Sequence, residues 1–291
     1  MRPAGLLSFV FACVLAMGCS GAQEVTSMLD GRGHVEKIEE KFAVEPGGTL
    51  TIDADMGSID VEPWSENEVD ILVEKSIRAN NETRARQELE EVEVQISQRG
   101  NEVRVEVDRP GWFRKNRVSV KMTVHVPGTY NLDLKTAGGD IDVADLHGNV
   151  KAGTAGGDID IGTISEGDVR ASTAGGDIKV RGGGRETALS TTGGNVIVDR
   201  AEGDVSARTT GGNIEIGDTG GDIDTKTTGG NIEIGSVQGS VTAKTTGGNI
   251  EIGPTLGNVD VKTVGGNIEI EDMQGTVNTS ALGGRVTVGS R

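Results

Sequence analysis

Carboxylates and cationic side chains are the groups in this sequence best placed to do chemistry, because they recur at a fixed interval. Asp140, Asp158 and Asp177 each follow a Gly-Gly pair, and Glu215, Glu233, Glu251 and Glu269 share one position in four later copies of the same pattern. Half an interval away stand Arg208, Lys226, Lys244 and Lys262. Three stacked carboxylates repel one another unless a cation sits among them, which makes Asp140, Asp158 and Asp177 candidate metal ligands. The calcium-binding β-roll needs Gly-x-Asp after its paired glycines, however, and here the later copies run to Asn-Ile-Glu-Ile, so the aspartate ligand is missing in most copies. A solvated turn is therefore the favoured reading of the aspartates. The glutamate row and the Arg/Lys row read either as charged stripes for a polymer or protein partner or as solvated faces whose charge blocks sheet-to-sheet aggregation, and the second is favoured.

Sugar cleavage by paired carboxylates requires one acid and one base in different environments, usually beside an aromatic platform. No aromatic residue follows Tyr130, and the repeated carboxylates occupy equivalent positions, so nothing singles out a catalytic pair. His34, His125 and His147 share no ligand spacing, and no serine sits in a nucleophile-elbow context. The residues thus point to no catalytic group and no cofactor. A non-catalytic role is expected, with a glycan-modifying β-helix enzyme, or a sensor or accessory module binding an envelope-active ligand, as the alternatives.

The elements that carry these rows follow from the repeat. Gly-Gly pairs begin at Gly138, Gly156, Gly175, Gly193, Gly211, Gly229, Gly247, Gly265 and Gly283, in steps of 18 with a single step of 19. Each copy splits into two nine-residue halves in which apolar residues alternate, as in Ile232-Glu233-Ile234, between glycines. Period-two alternation bounded by glycine predicts short strands joined by tight turns. Strands repeating in one register stack in parallel at ~4.8 Å, so nine coils make a rod on the order of 40 Å long. The expected fold is all-β: a parallel β-solenoid of about nine 18-residue coils, two strands per coil, over residues 136–291. Two sheets set close together suit Ile, Val, Ala, Leu and Thr inside. Thr136, Thr154, Thr173, Thr191, Thr209, Thr227, Thr245 and Thr263 are expected to form a ladder whose hydroxyls bond along the stack, and Asn195, Asn213, Asn231, Asn249 and Asn267 a second one at the turn.

Residues 35–135 differ in texture and hold the tryptophans and the tyrosine. They read as an N-terminal β-rich cap over the open solenoid end. It contains a turn at Pro46-Gly47-Gly48, a degenerate half-repeat at residues 55–61, and a short helix from Asn81 with Ala85, Leu89 and Val92 on one face. At the other end Asn278, Thr279, Ser280, Arg285 and Arg291 make the last coil more polar, and a monomer is expected.

Residues 1–18 have the layout of an export signal: Arg2, an apolar run from Leu6 to Met17, then small polar residues. Cys19 after Ala16-Met17-Gly18 resembles a lipobox, which implies lipid attachment at Cys19, a lipidated N-terminus and linker over 19–34, and a membrane partner through that anchor. Ser20 in place of aspartate points to the outer membrane. A net charge of −17 argues against nucleic acid as a partner and leaves a protein or polysaccharide ligand.

Pro46-Gly47-Gly48-Thr49-Leu50-Thr51-Ile52, Gly57-Ser58-Ile59-Asp60-Val61, Val126-Pro127 leading to Leu132-Asp133-Leu134-Lys135-Thr136, and the Gly-Gly-Asp-Ile repeats together resemble the bacterial β-strand-repeat family of putative adhesins, a domain of unknown function. The likeness runs over residues 35–291. It implies a cell-envelope protein with a β-solenoid fold and brings no catalytic residues with it.

Overall fold

The computed structural model describes residues 24–30, 33–79, 81–109 and 118–289. The signal segment, Cys19, Trp112, Phe113 and Arg291 lie outside the described residues.

From residue 131 onward each coil lays one strand in each of two sheets, and every strand pairs in parallel with its counterpart in the next coil. The β-solenoid thus has about nine turns. Alternation does what the sequence requires: Ile232 and Ile234 are 1% and 2% exposed, while Glu233 between them faces water. The interior is a continuous stack of Ile, Val, Leu and Ala with buried threonines. The 19-residue step is absorbed by one turn residue. Ser165 still aligns with His147, but Val169 aligns with Val150, and between them Glu166 takes up the extra length at φ 59°.

The cap stacks on the N-terminal end of the solenoid, but in sequence most of it is inserted after the first coil. Thr49–Ala54 pairs in parallel with Asn131–Thr136, and Ser58–Trp64 with Ile141–Val143, so residues 49–64 are a complete first coil inside the region expected to be cap. The chain then leaves for residues 65–130 and returns on the opposite side of that coil. During this detour Val118–Pro127 and Glu68–Ile77 extend one sheet, while Glu102–Asp108 and Glu93–Arg99 extend the other. Gly33–Ala43 follows in the first sheet, and Glu24–Asp30 pairs antiparallel with it. A strand therefore occupies part of the stretch expected to be linker.

The helix Glu82–Glu90 is capped at Asn81, whose side chain accepts from the Arg84 N–H, and it buries Ala85 and Leu89 as expected. Lys75, almost fully buried, ties down the helix's far end. Its Nζ donates to the carbonyls of Leu89 and Val92, both at 3.2 Å, and pairs with Glu36 at 2.7 Å. At the helix C-terminus the Leu89 carbonyl also accepts from the Val92 N–H at 3.2 Å, so the lysine adds a charged second donor there. At the other end of the rod, Val277, Val286 and Val288 of the last described coil are 37–42% exposed.

Candidate functional site

Polar side chains in each coil are largely occupied in holding the next coil. Asn213 Oδ1 accepts from the Asn231 N–H at 2.8 Å, Asn231 from Asn249 at 2.9 Å, and Asn249 from Asn267 at 2.8 Å. The expected asparagine ladder is thus side chain to backbone. The threonines differ from expectation: their hydroxyls do not bond one another. Thr245 Oγ1 donates to the Gly230 carbonyl of the preceding coil at 2.9 Å and accepts from the Gly248 N–H of its own at 3.3 Å. The same pair of bonds recurs at Thr191, Thr209, Thr227 and Thr263.

These ladders also account for the aspartates. Asp140 Oδ1 accepts from the Asp158 N–H at 2.9 Å, Asp158 from Asp177 at 2.8 Å, and Asp177 from Asn195 at 2.6 Å. Backbone N–H donors thereby stabilise the stacked charges. Among the described residues no three His, Cys, Asp or Glu side chains assemble as a metal-holding group. The three histidines are dispersed: His125 stacks on Trp64 with ring centroids 5.2 Å apart and lies 3.7 Å from Glu62, while His34 and His147 belong to other strands.

The two charged rows are real and in register. Glu215, Glu233, Glu251 and Glu269 form one exposed row on the outside of the first sheet. Arg208, Lys226, Lys244 and Lys262 form another on the outside of the second. Toward the cap the same column is interrupted by Ile197 and Lys179 and then turns acidic again at Asp160, Asp142 and Asp60. The Asp142 carboxyl is held above the usual carboxylate range by burial first, then by Asp60, Asp160 and Asp140, with Lys121 opposing.

Repeat symmetry breaks most clearly along the cationic row. Passing toward the cap from Arg208, the same column holds Ser190, Ser172 and Gly153, and long side chains resume only at Lys135. The missing bulk leaves a trough of about 670 Å³ on the sheet's outer face, bordered by Lys151 and Arg170. Lys151 pairs with Asp133, and Arg170 with Glu186 and Asp168. Sequence reasoning missed this trough, although aligning column members from Lys135 to Lys262 exposes the three small residues. A second groove of about 780 Å³ follows the turns on another side, from Arg200 to Gln274. The second groove mixes Arg200, Asp218 and Asp272 with Ser236 and Pro254, so its charge does not repeat from coil to coil.

A rigid two-sheet β-solenoid with an interleaved cap and charged outer rows is the class of protein these features define. Residues 48–253 match the family described as Toastrack DUF4097, and the chain belongs to that family. This is the β-strand-repeat family of unknown function to which the sequence bears its resemblance. The chain is also similar to a crystal structure of "a putative adhesin" from Parabacteroides merdae ATCC 43184, at 16% identity and TM-score 0.46, covering 88% of this chain and 96% of that one. It is similar as well to a "putative lipid binding protein" from Parabacteroides distasonis ATCC 8503, at 12% identity and TM-score 0.45 over 88% and 96% of the two chains. Among curated proteins none matches the chain.

Proposed function

We propose that this protein is a non-catalytic lipoprotein of the bacterial cell envelope, anchored through Cys19 at the outer membrane, that presents its solenoid as a stiff surface for adhesion or envelope scaffolding. The observation that carries this reading is how the polar groups are used. Asn, Asp and Thr side chains hold coil to coil, and what projects outward is mainly charge repeated once per coil, which suits an extended partner better than a reaction centre. A catalytic carboxylate pair needs two environments that push its pKa values apart, and equivalent repeat positions do not provide them. No helix among the described residues is long and apolar enough to cross a membrane, so the anchor in this reading is the lipid on Cys19.

The test is fractionation. Wild-type chain expressed in a bacterial host should sediment with membranes and carry a diacylglycerol-modified Cys19 by mass spectrometry, and Cys19→Ser should release it. Wild-type material that stays soluble with an unmodified Cys19 thiol would refute the anchor.

A further inference from the structure

We propose that the outer face of the sheet carrying Arg208, Lys226, Lys244 and Lys262 is a track for a linear polymer of carboxylated sugars, lying along the solenoid axis with its carboxylates set against the row of cations. The proposal deepens the binding-rod reading above and rests on it.

Three observations converge on this face. First, the three lysines of the row are unspent. Among the described residues Lys226, Lys244 and Lys262 have no ion-pair partner, and the acids of the neighbouring row are engaged elsewhere: Asp224 with Arg208, and Asp260 with the Asn278 side chain at 2.9 Å. Second, the spacing is uniform. Parallel pairing in strict register puts one positive charge on every coil, at the ~4.8 Å separation of neighbouring strands. A polyuronate carries one carboxylate on each sugar, and because successive sugars turn about the chain axis it presents them to one face at a multiple of this spacing. Third, the column beyond Arg208 opens into the trough, whose floor is Ser190, Ser172 and Gly153 and which reaches past Lys135 to Asp53 and Asp55 at its cap end.

Shape and charge together narrow the occupant. A floor of two hydroxyls and a glycine lets a sugar ring lie against the sheet and exchange hydrogen bonds with Ser172 and Ser190, and the cations on either side keep the polymer in line. The chain as a whole carries −17, and the opposite sheet shows its glutamate row. A thin polyanion confined to one face avoids that repulsion. A nucleic-acid duplex is wider than a single row and would set phosphates over Asp224 and Asp260.

Binding of polygalacturonate to the full chain, followed calorimetrically at low ionic strength, tests the track. The triple variant Lys226→Gln, Lys244→Gln, Lys262→Gln should bind about tenfold or more weakly, since several individually small ion pairs act together. Ser172→Phe should weaken binding by filling the trough, and the triple variant Glu215→Gln, Glu233→Gln, Glu251→Gln on the opposite face should not. Circular dichroism melts establish that each variant is folded. The track is overturned if polygalacturonate does not bind, if the lysine variant binds as well as wild type, or if the fully methyl-esterified polymer binds equally. Equal binding of polyphosphate overturns the sugar assignment. New reducing ends in the incubated polymer would instead overturn the non-catalytic reading, whereas a plain absence of binding leaves that reading standing.

Discussion

Replacing Thr245 with valine keeps the shape of a side chain that is 5% exposed and removes only its hydroxyl. Two groups then lose a partner: the Gly230 carbonyl, which received the hydroxyl proton at 2.9 Å, and the Gly248 N–H, which donated to it at 3.3 Å. Both glycines are buried at the corner of the coil. An unsatisfied buried group costs about 1–3 kcal/mol, and the longer of the two bonds belongs at the bottom of that range. The added methyl recovers about 0.8 kcal/mol of transfer energy. The net loss expected is roughly 2 kcal/mol, while Thr245→Ser, which keeps the hydroxyl, should lose less than about 1 kcal/mol. Urea denaturation provides the measurement, paired with amide exchange of the adjoining coils because repeat arrays can unfold in segments. A loss below about 0.5 kcal/mol for the valine variant, or equal losses for valine and serine, would show that these hydroxyls do not hold the corner.

The second glycine of each pair should be far less replaceable than the first. A Cβ on Gly230 would overlap the Gly212 carbonyl of the preceding coil, whereas one on Gly229 meets nothing nearer than Gly211 O at 3.4 Å, so Gly230→Ala should sharply lower the melting temperature and Gly229→Ala should barely move it. Ile232→Asp puts an unpaired charge between the sheets and should cost several kcal/mol, while Glu233→Lys on the exposed face should stay within about 0.5 kcal/mol; similar melting losses for both would contradict the alternation. Asp142→Asn has a pH signature. A carboxyl whose pKa is raised in the folded state favours folding while protonated, and that contribution is lost as pH rises through the folded value. The asparagine variant should therefore melt higher than wild type at neutral pH, with the advantage fading as pH falls through the raised folded value, gone below the ordinary aspartate value of 3.8, and shrinking in high salt. An advantage that grew on acidification would reverse the sign.

The rod itself was legible because its physics is local and repeated. Ile232-Glu233-Ile234 states which side chains face in, and an 18-residue interval states which strands are neighbours. The helix was legible for the same reason, with Asn81 to cap it and Ala85, Leu89 and Val92 on one side. The first coil was harder. Gly57-Ser58-Ile59-Asp60-Val61 carries the right pattern, but its partner in the next coil, Ile141–Val143, lies beyond a detour with no repeat spacing, so the pattern could not say with what it paired. Lys75 sits at an inconspicuous position in a strand, and its burial against the helix end is a tertiary event with no signal in spacing.

The charged rows show the same division between local pattern and neighbouring coil. Sequence alone gives the membership of Glu215 to Glu269 and Arg208 to Lys262, because membership follows from period. It does not say which acids are already committed, because that depends on partners one coil away: Asp140 gives an oxygen to the Asp158 amide, and Asp224 meets Arg208. Two rows that look alike in the sequence therefore differ in kind. The aspartates near the cap are bonded into the backbone of the stack, whereas Lys226, Lys244 and Lys262 stand in register with no ion-pair partner among the described residues. In a structure where folding alone would repeat every position, a partner is best sought where repetition leaves charge uncommitted and where it fails, and on the second sheet these two places meet at Arg208.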